Sequence, residues 1–91
     1  MLEVKESKFT YDFFFNGYRK IVVSKDKFFK FLVCLEKELT FTDGQKTTTF
    51  SKEPGATVMN NTLNDKAFSI KLFDSEKTEL YNWLKSHDPL I

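Results

Sequence analysis

Little in this chain could carry covalent or metal chemistry. Its 91 residues include one cysteine, one histidine, three glycines and two prolines. A single thiol excludes a disulfide framework and favours a reducing compartment. Cys34 sits among apolar residues of a predicted helix and reads as a core thiol, while His87 stands near the end of the sequence, and neither has partners at metal-ligand or nucleophile spacing. There is no phosphate-cradling glycine loop and no nucleophile elbow. No apolar run approaches the roughly 20 residues that cross a bilayer. The opening Met-Leu-Glu-Val-Lys-Glu-Ser-Lys is too charged for a signal peptide. A net charge of +1 supplies neither the strongly basic face of a duplex binder nor an acidic mimic of nucleic acid. From these absences we expect a non-enzymatic cytoplasmic protein without cofactor or metal and without a membrane role.

What is present is apolar and aromatic. Hydrophobic residues make up 41% of the chain, charged residues 30%, and phenylalanine alone occurs 11 times, enough for one domain spanning residues 1–91 to hold a core without metal or disulfides. Residues 1–52 hold ten Lys or Arg against seven Asp or Glu, so the mild basic excess belongs to the first half.

The strongest local signal is Phe9 to Val23. An aromatic run, Asn16-Gly17 and a β-branched run read as a hairpin, because a two-residue type I′ turn needs positive φ at both central positions. That turn pairs Phe15 with Tyr18, Phe14 with Arg19 and Phe13 with Lys20, and it sets Asp12 and Arg19 on a diagonal suited to an ion pair. One face then carries Phe9, Tyr11, Phe13, Phe15, Tyr18, Lys20 and Val22. Such a face serves either as core, since aromatic side chains bury the most area, or as a stacking platform interleaved with cations.

Beyond it, Ser24 is placed to cap a helix from about Lys25, with Phe28, Phe31, Leu32 and Leu35 recurring at helical spacing. Leu39 to Phe50 reads as a second hairpin about Asp43-Gly44, with Leu39, Phe41, Lys46, Thr48 and Phe50 on one face and a Thr/Gln ladder on the other. Residues 51–66, with Pro54-Gly55 and an Asn-rich patch, read as the longest loop, interrupted by a short strand at Ala56 to Met59. Ala67 to Phe73 alternates as a half-buried strand, and Asp74 or Ser75 is placed to cap a last helix with Leu80, Tyr81, Trp83 and Leu84 inward. The expected fold is therefore α+β: a mainly antiparallel sheet of about five strands with two helices, in the order β-β-α-β-β-(β)-β-α.

Aromatic surplus, near-neutral charge and the lack of catalytic groups point to a protein-binding module, an inhibitor or adaptor acting on a larger protein, with Tyr11, Phe13, Tyr18, Arg19 and Lys20 as partner-binding residues. Tyr81 and Trp83 are further anchor candidates. The strand, cap and helix pattern of Lys20 to Leu32 and Ser69 to Leu84, about a third of the chain, resembles the β-meander plus helix units of the Whirly and PUR single-strand DNA binders. Those families have a longer run of strands before each helix than the two found ahead of the first helix here. The resemblance implies the alternative reading, a single-stranded nucleic-acid binder with Lys8, Tyr11, Phe13, Tyr18, Arg19 and Lys20 as its platform. A homodimer closed through an open sheet edge is compatible with either.

Overall fold

Antiparallel strands make up 51% of the computed structural model, which describes residues 2–16 and 19–87. The fold is α+β in the expected order, with added strands: seven among the described residues, divided between two sheets. The first half is a three-stranded meander, β1 (Glu3–Glu6), β2 (Thr10–Phe15) and β3 (Arg19–Ser24). It leads through a single 3-10 turn, Lys25–Lys27, into helix α1 (Phe28–Lys37). The second is a four-stranded meander, β4 (Phe41–Asp43), β5 (Lys46–Glu53), β6 (Ala56–Leu63) and β7 (Lys66–Phe73), followed by α2 (Asp74–Ser86).

The β2–β3 register differs by one residue from that set by a two-residue corner. Phe15 pairs with Arg19, Phe13 with Ile21 and Tyr11 with Val23, so three residues separate the strands. The expected Asn16-Gly17 turn geometry and Tyr18 lie outside the described residues. The slip matters because side chains alternate faces with a period of two. It moves Ile21 and Val23 onto the face of Tyr11, Phe13 and Phe15, where Phe13, Phe15, Ile21 and Val23 are all buried, and sends Lys20 and Val22 to the other side. An all-apolar inner face outweighs the local preference of the corner.

The second hairpin also closes one step later than expected, with Asp43 paired to Lys46 and Gly44 at φ +62° in the corner. That shift is by one residue on both strands, so Phe41, Lys46, Thr48 and Phe50 still share a face, as the alternation indicates. Leu39 precedes the strand and is exposed.

The expected loop at residues 51–66 is instead ladder. Pro54-Gly55 is a tight corner between Glu53 and Ala56, with Gly55 at φ +73°. Asn64-Asp65 is a second corner, both residues at positive φ (50° and 66°), the requirement of a type I′ turn. Between them Ala56–Leu63 forms an eight-residue strand paired on both sides. Its asparagines, turn formers by propensity, sit in the sheet because side chains satisfy them. Asn61 accepts from Thr48 Oγ1 at 2.6 Å, and Asn60 donates to Ser51 and accepts from Ser69.

Helix starts also depart from the expected caps. Ser24 turns its hydroxyl to Asp43 at 2.7 Å and leaves the helix start without a side-chain cap. At α2 neither Asp74 nor Ser75 caps; Glu76 reaches back to accept the Phe73 N–H at 3.0 Å, and the Gly55 carbonyl accepts from Asp74 N–H at 3.1 Å.

The helices join the halves. Trp83 of α2 packs edge-on against Tyr11 and Phe13 of the first sheet, and Phe31 of α1 packs edge-on against Phe41 of the second. Leu35, Leu72, Leu80 and Leu84 complete one shared core. The register gives a direct test. Phe13→Ala and Ile21→Ala should each lower unfolding free energy by about 3 kcal/mol. Val22→Ala, on the outer side of the same strand, should cost about 1 kcal/mol or less. Urea unfolding of the three variants checks this, and equal losses at positions 21 and 22 would contradict the pairing.

Candidate interaction cleft between the sheets

Three contacts fix how β3 lies against the second sheet. Arg19 donates from Nη1 to the Lys71 carbonyl on β7 at 2.7 Å, Lys46 of β5 donates from Nζ to the Val22 carbonyl at 3.3 Å, and Ser24 reaches Asp43 at the end of β4. Strand β3 thus runs from β7 toward β4.

Arg19 anchors one end. Both terminal nitrogens meet the two carboxylate oxygens of Glu76 at 2.7 Å, a bidentate fork, and Nε donates to the Asn16 carbonyl at 2.7 Å. Its guanidinium also lies 5.9 Å from the ring centroid of Phe15 and 5.7 Å from that of Phe73. The expected Asp12–Arg19 pair therefore does not form; the register puts them on opposite faces, and Asp12 accepts from Thr10 instead. The Arg19 guanidinium, ahead of the Phe73 N–H, holds the Glu76 carboxyl below the usual carboxylate range. A similar clamp joins α1 to α2 and β5: Lys77, then Lys52, holds Glu38 below that range as well.

The proposed partner-binding residues separate. Phe13 is fully buried, and Tyr11 is half-buried against Phe13, Phe28 and Trp83, with the Lys25 ammonium over its ring. Arg19 is engaged by Glu76, Lys20 is exposed on the opposite side of the strand, and Tyr18 lies outside the described residues. Tyr11 and Phe13 thus serve the core, and among the described residues the members of the expected platform do not share one surface. Of the other anchors, Trp83 is half-buried and packs against the core cluster, with His87 stacked on it at 3.9 Å, and Tyr81 donates to Glu36, which pushes its phenol above the ordinary value.

A different surface assembles beside Lys20. The inner face of the second sheet is covered at the α2 end, where Leu72, Met59 and Thr57 are buried, and uncovered toward the Asn64-Asp65 corner, where Phe68 is 47% and Leu63 38% exposed. Between this corner and β3 lies a cleft of about 160 Å³. Val22, Phe41, Met59, Phe68 and Ile70 give it apolar walls, and the buried Thr48–Asn61 pair lies in its floor. Its lining includes Lys20 and Lys46 and no carboxylate. Lys66 shares the face of Phe68. None of the three lysines makes an ion pair among the described residues.

Backbone groups of β3 also point to the cleft side. Lys25 N–H donates to the Phe9 carbonyl, so alternate pairs Val23/Tyr11, Ile21/Phe13 and Arg19/Phe15 exchange the ladder bonds. Lys20, Val22 and Ser24 then direct their N–H and C=O groups away from β2, and among the described residues no strand pairs with that edge. Val22, Lys46 and Phe68 were not singled out from sequence as binding residues. The alternation of Phe68, Ile70 and Leu72 was visible, but not that its first member projects past the helices.

No protein-family model, curated protein or solved structure matches this chain. The class that fold and cleft define is a two-sheet α+β domain built of two meander-plus-helix units. Among the described residues no helix is long and apolar enough to cross a membrane, and no group of three His, Cys, Asp or Glu could hold a metal ion.

The Arg19–Glu76 fork predicts a pH dependence. A carboxyl held low in the folded state contributes stability above its unfolded pKa, and that contribution is lost as pH falls through the folded value. Stability should therefore decline on acidification below about pH 5, the upper edge of ordinary carboxylate titration. Glu76→Gln should cost about 2 to 3 kcal/mol at neutral pH, since it leaves a part-buried guanidinium without its anion. It should also flatten the acid limb, as read by denaturant midpoints across pH. An unchanged limb would mean that the fork does not couple to folding.

Proposed function

We propose that the chain is a small non-enzymatic protein-binding module, acting as an inhibitor or adaptor of a larger cytoplasmic protein. The observation that carries this reading is the uncovered corner of the second sheet, where a face that is core elsewhere ends in exposed Phe68 and Leu63 beside a strand edge with no partner strand among the described residues. Apolar side chains grouped on one concave surface next to backbone donors and acceptors are what a protein surface complements. The near-neutral net charge suits such contacts better than phosphate-backbone binding.

A second reading, binding of single-stranded nucleic acid, draws support from two features. Each half is a meander closed by a helix, with three strands before the first helix and four before the second, which lessens the departure from the Whirly and PUR pattern. Outer-surface rings also lie beside cations: Lys5 over Phe14, Lys8 over Phe9 and Lys71 over Phe73.

Two measurements separate these readings. Immobilised protein exposed to nuclease-treated lysate of the source cells should retain a specific protein that Phe68→Ser no longer retains. Anisotropy of labelled single-stranded DNA and RNA should show no binding tighter than the non-specific range, about 10⁻⁴ to 10⁻⁶ M, at physiological salt. Tight, steeply salt-dependent oligonucleotide binding without a Phe68-dependent protein partner would overturn the first reading in favour of the second.

A further inference from the structure

We propose that the cleft takes an extended acidic peptide segment of a partner protein, added as a fourth strand to the free edge of β3 with its apolar side chains on Phe68 and Ile70. This rests on the protein-binding reading and specifies its partner.

Three observations converge on that occupant. The first is the edge itself. Lys20 and Val22 each present one donor and one acceptor outward, a spacing that an added strand matches at alternate residues. The Val22 carbonyl is met by the Lys46 ammonium, which stands where an incoming N–H would donate. The second is the wall. A strand laid along β3 passes over the uncovered corner, so side chains on its inner face meet Phe68, Ile70 and Leu63 while alternate ones point outward.

The third is charge. Lys20 and Lys46 line the cleft, Lys66 shares the face of Phe68, and the cleft lining contains no carboxylate. Lys46, displaced from the Val22 carbonyl, is free to meet an acidic side chain of the incoming strand. This pattern disfavours a second copy of the chain, because two β3 edges paired about a two-fold axis would bring Lys20 and Lys46 of both copies together. A nucleic-acid strand would meet the same lysines, but its phosphodiesters carry no N–H to donate to the outward carbonyls of Lys20 and Val22, which a peptide strand does.

The test is selection of a phage-displayed random dodecapeptide library on the full-length protein. The tightest peptide is then synthesised, together with an analogue in which every Asp and Glu is amidated to Asn or Gln. Enriched sequences should alternate acidic with apolar residues, and amide NMR shifts on titration should centre on Lys20, Val22, Phe68 and Ile70. Affinity should fall at least about tenfold for the amidated analogue and for the Lys20→Glu/Lys46→Glu variant, as expected where charge pairs set recognition. Val22→Pro removes the outward N–H without touching a β2–β3 ladder bond and should abolish binding. Should that variant unfold, the lysine variant and the shift map decide.

Enriched peptides without acidic residues, or shifts centred elsewhere, overturn the proposal while leaving a protein-binding module standing. So does failure to enrich any peptide when lysate capture still yields a Phe68-dependent partner. Failure of both removes the protein-binding reading itself. Oligonucleotide-induced shifts at the same amides without peptide binding would assign the cleft to nucleic acid. Concentration-dependent dimerisation abolished by Val22→Pro would assign the edge to a second copy.

Discussion

The Arg19–Glu76 fork is the contact on which the relation between the two halves depends. Each residue does two jobs: Arg19 belongs to β3 yet also bonds a β7 carbonyl, and Glu76 closes the first turn of α2 while accepting both guanidinium nitrogens. Two charges with side chains only 21% and 12% exposed are costly to desolvate unless every lone pair and proton is met, and here the fork, the carbonyls and the helix N–H meet most of them. Apolar packing alone tolerates sliding of one sheet on another; a planar fork does not. The angle at which β3 passes the second sheet, and with it the shape of the cleft, follows from that constraint.

The aromatic richness of the chain has a structural use. Phe13, Phe28, Tyr11 and Trp83 form a continuous edge-to-face cluster between both helices and the first sheet, and Phe31 with Phe41 does the same between α1 and the second. A domain of this size has a high ratio of surface to volume, and large rings are the most economical way to fill a core shared by two helices and two sheets. The rings left outside it are therefore the informative ones. Phe68 stands at the edge of the uncovered corner, in line with two residues that are covered.

Fold class was legible in the residues because its signals are local and repeated: alternation in Ala67 to Phe73, helical spacing from Phe28 to Leu35, glycine or asparagine at corners. Register was less so. The Asn16-Gly17 corner and the apolar pattern of β3 conflict by one residue, and only the buried inner face decides between them. The Asn-rich stretch from Asn60 to Asp65 read as loop because propensity there competes with bonds to residues distant in sequence, Thr48 and Ser51 to one side and Ser69 to the other. The site was the least legible part. Lys20 was identified for its place in a hairpin platform, whereas its neighbours in the cleft, Lys46 and Phe68, come from strands whose approach to β3 depends on the tertiary contact of Arg19.

An open edge beside exposed phenylalanine is a hazard for a chain this rich in β-formers, since an unpaired row of backbone groups templates pairing with any other strand. Lysines at such an edge oppose self-pairing: every copy carries the same charges, so two edges brought together repel. The same lysines do not oppose an acidic strand. Protection against aggregation and the proposed selection of an acidic strand therefore rest on one electrostatic arrangement seen against two different approaching chains. Its positions are consistent with both roles, because Lys20 alternates with Val22 along the edge and Lys46 already holds the carbonyl that an added strand would use. Covering Phe68 with a further helix would have removed the hazard without charge. The fold instead leaves the corner open and guards it with cations, which keeps the edge available to a strand of opposite charge.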